Sequence, residues 1–422
     1  MRCARCGRGR IRGPGDPPVA SGCVTSRMNG ISSLDAGVMV GALIGGDGVE
    51  SRPGPGHAPL TKPVRLPPAR LARIVETLRT ALHRVRFKVV PPFAGILDLT
   101  MGFAVAQAIY AAARLGVADV LRDGPMTAAD VADRVHADPS AVHRLMRVLA
   151  AHQIFRERRD GPFEMTALSQ ALCSDAAVSI RPLLLMLSHP FYWQHFGRLT
   201  DVVRTGRTSL ETEYGKGLFE CLDEDPEVAR VFNDAMSCVT AMSIPPVLAA
   251  YDFSRFRTII DVGGGDGHML TAILEVATAS RGVLFELPAL AEQARETVRS
   301  VGLTDRATIE SGSFFDHVPR GGDLYVLKHV IHDWRDDRAR EILRHVRDAM
   351  SPRAVLLLVE TVIPPGNGMH FGKLLDLDML IFAGGRERTR AEFSSLLFET
   401  GFHLDRIVPT VTHLSLIEAT AC

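Results

Sequence analysis

Three glycines, Gly263-Gly264-Gly265, follow the apolar run Thr258 to Val262 and lead through Asp266-Gly267 into a helix-like segment. Glycine permits positive φ and puts no Cβ between a backbone N–H and a ligand, so this turn suits a nucleotide-type ligand at a strand end. The dinucleotide pattern Gly-x-Gly-x-x-Gly asks for a glycine at position 268, where this chain has His268, and that turns the reading away from a pyrophosphate. Glu286 lies 21 residues beyond Gly265, at the end of the next apolar run, where a carboxylate accepts hydrogen bonds from a ribose diol. The pair points to an adenosine-containing ligand, although the glycine turn alone also serves as a plain strand-to-helix connection in any α/β protein.

Four downstream segments add chemistry: GSFF at 312–315, LKHVIHDW at 327–334, LLLVETVIP at 356–364 and GGRERT at 384–389. In that order and spacing the chain resembles the S-adenosylmethionine-dependent O-methyltransferases of the caffeic-acid, hydroxyindole and bacterial polyketide-tailoring type, over roughly residues 93 to 420. Methyl transfer from a sulfonium needs a held cation, an acceptor oxygen in line with its methyl, and a base for the acceptor's proton. The resemblance implies S-adenosylmethionine as cofactor, with Asp261, Gly263, Gly265, Glu286, Ser313, Phe314 and Lys328 around it. Within that set Glu286 takes the ribose and Phe314 covers the adenine. Ser313 stands where family members commonly carry an acid, which replaces a carboxylate contact to the adenine amino group by a hydroxyl.

The same resemblance makes His332 the general base, with Glu360 and Glu387 as the two acids that orient its ring and favour the proton-accepting tautomer. A phenol of pKa about 10 facing an imidazole of about 6.5 implies a transfer uphill by roughly 3.5 units, or about 5 kcal/mol. Deprotonation is therefore expected to be concerted with methyl transfer, or the acceptor to be unusually acidic. Phe232 and Met236, within VFNDAMS, match the acceptor pocket, and Val239 stands where plant members often place a histidine. No metal is expected, because Asp336 and Asp337 follow Trp334 at a helix start, where capping accounts for them.

The elements that must position these residues follow from periodicity. Strands are expected near 258–262, 282–287, 307–311, 323–328 and 354–361, with helices starting after 267, 288, 335 and 389. The last two apolar stretches, 403–409 and 413–419, are too closely joined for a helical crossover and form an antiparallel hairpin. Upstream, Met101 to Leu115 is a nearly all-apolar helix, expected to be buried and plausibly against a second copy. Thr127 to Asp130 reads as a capping box, Asp138-Pro139-Ser140 opens another helix, and Ile154 to Thr166 with Asp160-Gly161 at its centre reads as a hairpin wing. The expected fold class is thus α/β: a Rossmann-like class I methyltransferase domain with a seven-stranded sheet whose last strand is antiparallel, preceded by a mainly helical winged-helix dimerisation domain.

The expected partition is 1–68 as a disordered extension, 69–92 as an amphipathic helix, 93–177 as the winged-helix dimerisation domain, 178–250 as a helical acceptor-pocket region and 251–422 as the catalytic domain. Residues 1–68 are rich in Gly, Pro and Arg and carry no core pattern; their Cys3 and Cys6 lack a second pair at zinc-ligand spacing. Leu71, Ile74, Val75, Leu78, Leu82, Val85 and Val89 share one helical face, suited to a partner subunit, its own core or a membrane surface. Across the 422 residues, 48 basic and 48 acidic side chains balance, giving no general case for nucleic acid. His143, Arg144 and Arg147 on the winged-helix region keep a DNA-binding regulator in view, and a cofactor-binding enzyme that decarboxylates or hydroxylates is the other alternative. The seven cysteines are scattered and argue against a disulfide framework. No run is taken for the roughly 18 apolar residues of a membrane span, and the chain is read as a cytoplasmic homodimer acting on a hydroxylated small molecule.

Overall fold

The computed structural model describes residues 69–422, so the expectations for 1–68, Cys3 and Cys6 included, lie outside the described residues. Helix Ala69–Lys88 is followed by helix Pro92–Leu115, which Pro92 opens and Gly116 ends with φ 71°. Thr127 and Asp130 form the reciprocal capping box of helix Ala128–Val135, and the Asp138 carboxylate accepts the Ala141 N–H at 2.8 Å to open helix Pro139–Ala151. Strands β1 (Phe155–Glu157) and β2 (Phe163–Met165) pair antiparallel as the wing. Val117, Leu121, Val131, Met146, Leu149, Phe155 and Phe163 form the core of this region.

The stretch Met101–Leu115, expected to be buried and plausibly against a second copy, is half-buried over residues 104–111 in the single chain. Along Pro92–Leu115 only Gly95, Ala112 and Ala113 are buried, while Phe93, Ile96, Leu97, Leu99, Met101 and Phe103 are exposed. The helix is also longer than expected, and by length and composition alone it could cross a membrane. Its apolar surface continues that of Ala69–Lys88, where Ile74, Leu78, Leu82, Val85 and Val89 are exposed too. A surface of this size on one chain marks an interaction face.

The second half is one sheet between helices. Strands β3 (Thr258–Val262), β4 (Arg281–Glu286), β5 (Ala307–Ser311), β6 (Leu324–Lys328), β7 (Val355–Ile363), β9 (Phe402–Pro409) and β10 (Leu414–Ala421) lie in the order β5-β4-β3-β6-β7-β10-β9, and the two-residue β8 (Arg388–Thr389) pairs with β7. Only β10 runs against its neighbours β7 and β9. The first strand is central, with β4 on one side and β6 on the other, so the chain reverses its winding there and opens a crevice at the carboxyl ends of the strands. Gly263, Glu286 and Lys328 all lie at those ends. Nearly continuous apolar runs such as Leu356 to Val359, all fully buried, fit strands covered on both faces.

Two elements went unforeseen. Helix Phe371–Phe382 fills the interval between β7 and the GGRERT segment, and β8 extends β7 by pairing Val362 with Arg388 and Ile363 with Thr389.

Candidate active site

The glycine turn has the conformation its residues permit: Gly263 and Gly265 have φ 69° and 60°, and a Cβ at Gly264 would lie 2.7 Å from Asp261 Oδ2. Glu286 is tied to this turn, accepting the Gly265 N–H at 2.9 Å and the Leu287 N–H at 2.7 Å. Burial pushes its carboxyl up, and these two bonds oppose the shift. Asp261 is buried with Oδ2 unpartnered, and burial pushes it up to about 7 against the pull of Lys328. Lys328 donates to Thr240 Oγ1 at 3.1 Å, and Ser237 donates to Asp266 at 2.7 Å. Helix Pro226–Ala250 thus closes over the turn through two polar contacts that sequence spacing did not suggest. His268, in place of a third fingerprint glycine, starts helix His268–Val276 with its ring 2.9 Å from Asp266.

Phe314 stands beside this turn, since a Cβ on Gly263 would meet its ring at 3.5 Å. Its ring also packs edge-on against Phe315 and Trp334. The Ser313 hydroxyl accepts the Phe315 N–H at 3.2 Å, which leaves its own proton free to be donated.

On the other side of β6, Glu360 Oε1 accepts the N–H of Val330 at 3.1 Å and of Ile331 at 2.9 Å, folding the short 3-10 turn Ile331–Asp333 over the strand end. That turn delivers the His332 ring to Glu387, with Nδ1 to Oε1 at 2.8 Å, and leaves Glu360 Oε2 at 3.8 Å. Nε2 faces Asp333 Oδ1 at 3.5 Å. Burial works against the imidazolium, but Glu360, Asp333 and Glu387 outweigh it and hold the ring up to about 10. The sequence-based picture of an ordinary imidazole is corrected accordingly, because three acids converge where two were counted. His329, at φ 54°, stacks on this ring at 5.1 Å between centroids, and burial keeps it well below the usual histidine range. The donor atoms of His332, Glu360 and Glu387 lie within 4.8 Å of one another, a make-up that holds either a proton or a cation.

The GGRERT segment is locked to this turn by backbone approach and by Arg388. A Cβ on Gly385 would lie 2.0 Å from the His332 carbonyl oxygen, so only glycine fits, and the Arg386 N–H donates to that oxygen at 2.8 Å. Arg388 is fully buried and donates to the carbonyls of Ile331 and Trp334 at 2.9 and 3.0 Å and to Asp336 at 2.7 Å. Asp336 therefore does not cap its helix as expected; Arg335 holds the cap position without a side-chain bond, and Asp336 serves as Arg388's partner. Arg388 belongs to the GGRERT segment on which the resemblance rests, the available signal for this role. Phe232 and Met236 are half-buried against a cluster that includes Tyr192, Leu210, Ile381 and Phe382, on the same helix whose Ser237 and Thr240 reach the glycine turn and Lys328.

Residues 196–403 match the O-methyltransferase domain family, and residues 97–175 match the O-methyltransferase dimerisation domain. The phenazine O-methyltransferase PhzM of Lysobacter antibioticus is 39% identical over 330 residues, spanning 78% of this chain and 96% of that protein. The chain belongs to the O-methyltransferase family. A crystal structure of LaPhzM superposes with a TM-score of 0.73 at 39% identity, covering 79% of this chain and 100% of that one. The O-methyltransferase NcsB1 from neocarzinostatin biosynthesis, solved with S-adenosylmethionine and 2-hydroxy-5-methyl naphthoic acid, gives 0.66 at 33% identity, over 76% and 96% of the two chains. This methyltransferase is an S-adenosylmethionine-dependent enzyme. Its glycine turn, crowded at Gly263 and Gly264 and open at Gly265, and the unpartnered Asp261 oxygen fit that cofactor. The winged-helix region falls inside the dimerisation-domain match, which favours subunit contact over DNA as the use of its surface.

Proposed function

We propose that the enzyme methylates a phenolic or enolic hydroxyl of an aromatic or polyketide-like small molecule, with His332 as the proton-handling residue. The carrying observation is the 2.8 Å contact of His332 Nδ1 with Glu387, which commits one nitrogen to the acid; Nε2, 3.5 Å from Asp333 Oδ1, is the nitrogen assigned to the acceptor's proton. S-adenosylmethionine, when bound, supplies an electrophilic methyl and departs as S-adenosylhomocysteine. Glu286 and the Gly263–Gly265 backbone bind its nucleoside and amino-acid ends, with Asp261, Lys328, Phe314 and Ser313 around them. Phe232 and Met236 supply apolar wall for the acceptor. At Nε2 the proton of an acceptor oxygen meets a ring whose own affinity, raised to about 10, matches that of a phenol at about 10. Transfer is then less uphill than to an ordinary imidazole, and the product is a phenolate beside an imidazolium. Glu360 and Glu387 hold that imidazolium in place.

The test is incubation with methyl-labelled cofactor and a panel of phenols, with EDTA present because the proton reading of the cluster needs no metal. Labelled methyl ether together with S-adenosylhomocysteine is expected. Cofactor binding with no methylated product from any phenol would sink the reading.

Replacing Glu286 by Ala is expected to weaken S-adenosylhomocysteine binding by about 1–3 kcal/mol, from lost charge-assisted bonds to ribose and a loosened turn. Equal affinity by calorimetry would remove Glu286 from that role.

We further propose a cytoplasmic homodimer formed through Pro92–Leu115 and Ala69–Lys88, whose exposed apolar faces support it. Phe93→Glu combined with Leu97→Glu should convert the dimer to monomer or aggregate in light scattering. A variant that stays a monodisperse dimer would show that another surface pairs the subunits.

A further inference from the structure

Helix Phe371–Phe382 contributes Ile381 and Phe382 to the aromatic cluster, and its two acids face different work. Asp376 is committed, accepting the Glu387 N–H at 2.8 Å. Asp378 is not: its Oδ1 is buried and has no hydrogen-bond partner, while the residue as a whole keeps some accessible surface. A side chain with both properties belongs to the wall of a recess rather than to a sealed core.

Two directions fix which recess. Four residues along the same helical face, Phe382 packs on Tyr192 with ring centroids 4.5 Å apart, within the cluster against which Phe232 and Met236 lie. In the other direction the charges that act on Asp378 are those of His332 and Asp333, and Asp378 in turn helps keep the buried Tyr192 phenol protonated, after burial itself. Asp378 thus lies on the helix between Asp376, which is bonded to the Glu387 backbone at 2.8 Å, and Phe382, which packs on Tyr192.

A buried carboxyl without a partner costs the protein free energy unless something else satisfies it. Asp333, Glu360 and Glu387 already crowd the His332 imidazole, and burial pushes Asp378 itself up to about 7, so its surroundings disfavour a second anion and the ionised carboxylate favours a donor. We propose that Asp378 is an acceptor-selecting residue, accepting a hydrogen bond from a second polar group on the aromatic acceptor, a hydroxyl or amino group remote from the methylated oxygen, and rejecting a carboxylate at that position. The preferred substrates are then polyhydroxylated or amino-substituted phenols.

This inference rests on the methyl-transfer reading, and the experiment separates the two. Four probes are compared: 2-naphthol, 2,7-dihydroxynaphthalene, 7-amino-2-naphthol and 7-hydroxy-2-naphthoate. Each is measured for kcat/KM and for affinity to the protein saturated with S-adenosylhomocysteine. The unaltered enzyme should favour the hydroxyl and amino probes over 2-naphthol by about tenfold or more, and the carboxylate probe should be poorest. Asp378→Leu should bring the hydroxyl and amino probes to within about threefold of 2-naphthol, and Asp378→Asn, which keeps the shape, should relieve rejection of the carboxylate. S-adenosylhomocysteine affinity, unchanged in both variants, reports that the fold is intact. Methylation of these probes with the same ratios in the variants, or a uniform fall for all four, overturns the role of Asp378 alone. Failure of the unaltered enzyme to methylate or bind any phenol overturns the methyl-transfer reading and this inference with it.

Discussion

Replacing His332 by Ala should lower turnover by roughly a hundredfold or more, the usual scale for a residue that moves the acceptor's proton, and leave S-adenosylhomocysteine affinity nearly unchanged. The two effects separate because His332 sits in the Ile331–Asp333 turn after β6, whereas the glycine turn after β3 and Glu286 form the cofactor cradle. Removing the ring also leaves Glu360 and Glu387 buried without their cation, so His332→Gln is the companion variant that keeps a polar group against Glu387. Unchanged turnover in both would remove His332 from the mechanism. The pH profile gives an independent check with a defined sign. With His332 held up to about 10, the form able to take a proton is scarce at neutral pH and grows as pH rises, so kcat/KM should climb into the alkaline range. Glu387→Gln removes one of the charges that stabilise the imidazolium, lowers its pKa, and should move that rising limb to lower pH. A limb that stays in place or moves up would show that another group sets it.

Arg388→Met should destabilise the enzyme by about 2–4 kcal/mol, the scale for two buried carbonyls left without this donor, while Asp336, 41% exposed, returns to water. The carbonyls of Ile331 and Trp334 lose their donor and Asp336 its partner. Against a total stability of roughly 5–15 kcal/mol, that loss should appear as a fall in Tm on the order of 2–5 °C for a chain of this length. Because the same guanidinium ties the Glu387 segment to the His332 turn, turnover should fall further than cofactor affinity at temperatures where the variant is folded. Arg388→Lys should not rescue it, since one ammonium cannot reproduce the fork that reaches both carbonyls and Asp336. A variant with unchanged Tm and turnover would show that the turn is held by the Gly385 contact and Glu360 alone.

The strands and the cofactor turn were legible along the chain because their signals are local. Apolar runs end in glycines whose φ only glycine adopts readily, and Asp138, Thr127 and Asp130 cap their helices within three residues. The alignment of His332 with Glu360 and Glu387 was legible only through resemblance, since 55 residues separate the bonded pair His332 and Glu387.

What the sequence by itself determined is the order of elements, the residue types at the carboxyl ends of β3, β4, β6 and β7, and thereby the class of chemistry. The tertiary structure decided the proton affinity of His332, the recruitment of Asp333 as a third acid, the diversion of Asp336 from capping to Arg388, and the burial of Asp378 Oδ1 without a partner. The reason is common to all of these. Periodicity and turn residues encode contacts a few residues apart, whereas electrostatic free energy and burial depend on which distant segments close around a group and exclude water from it.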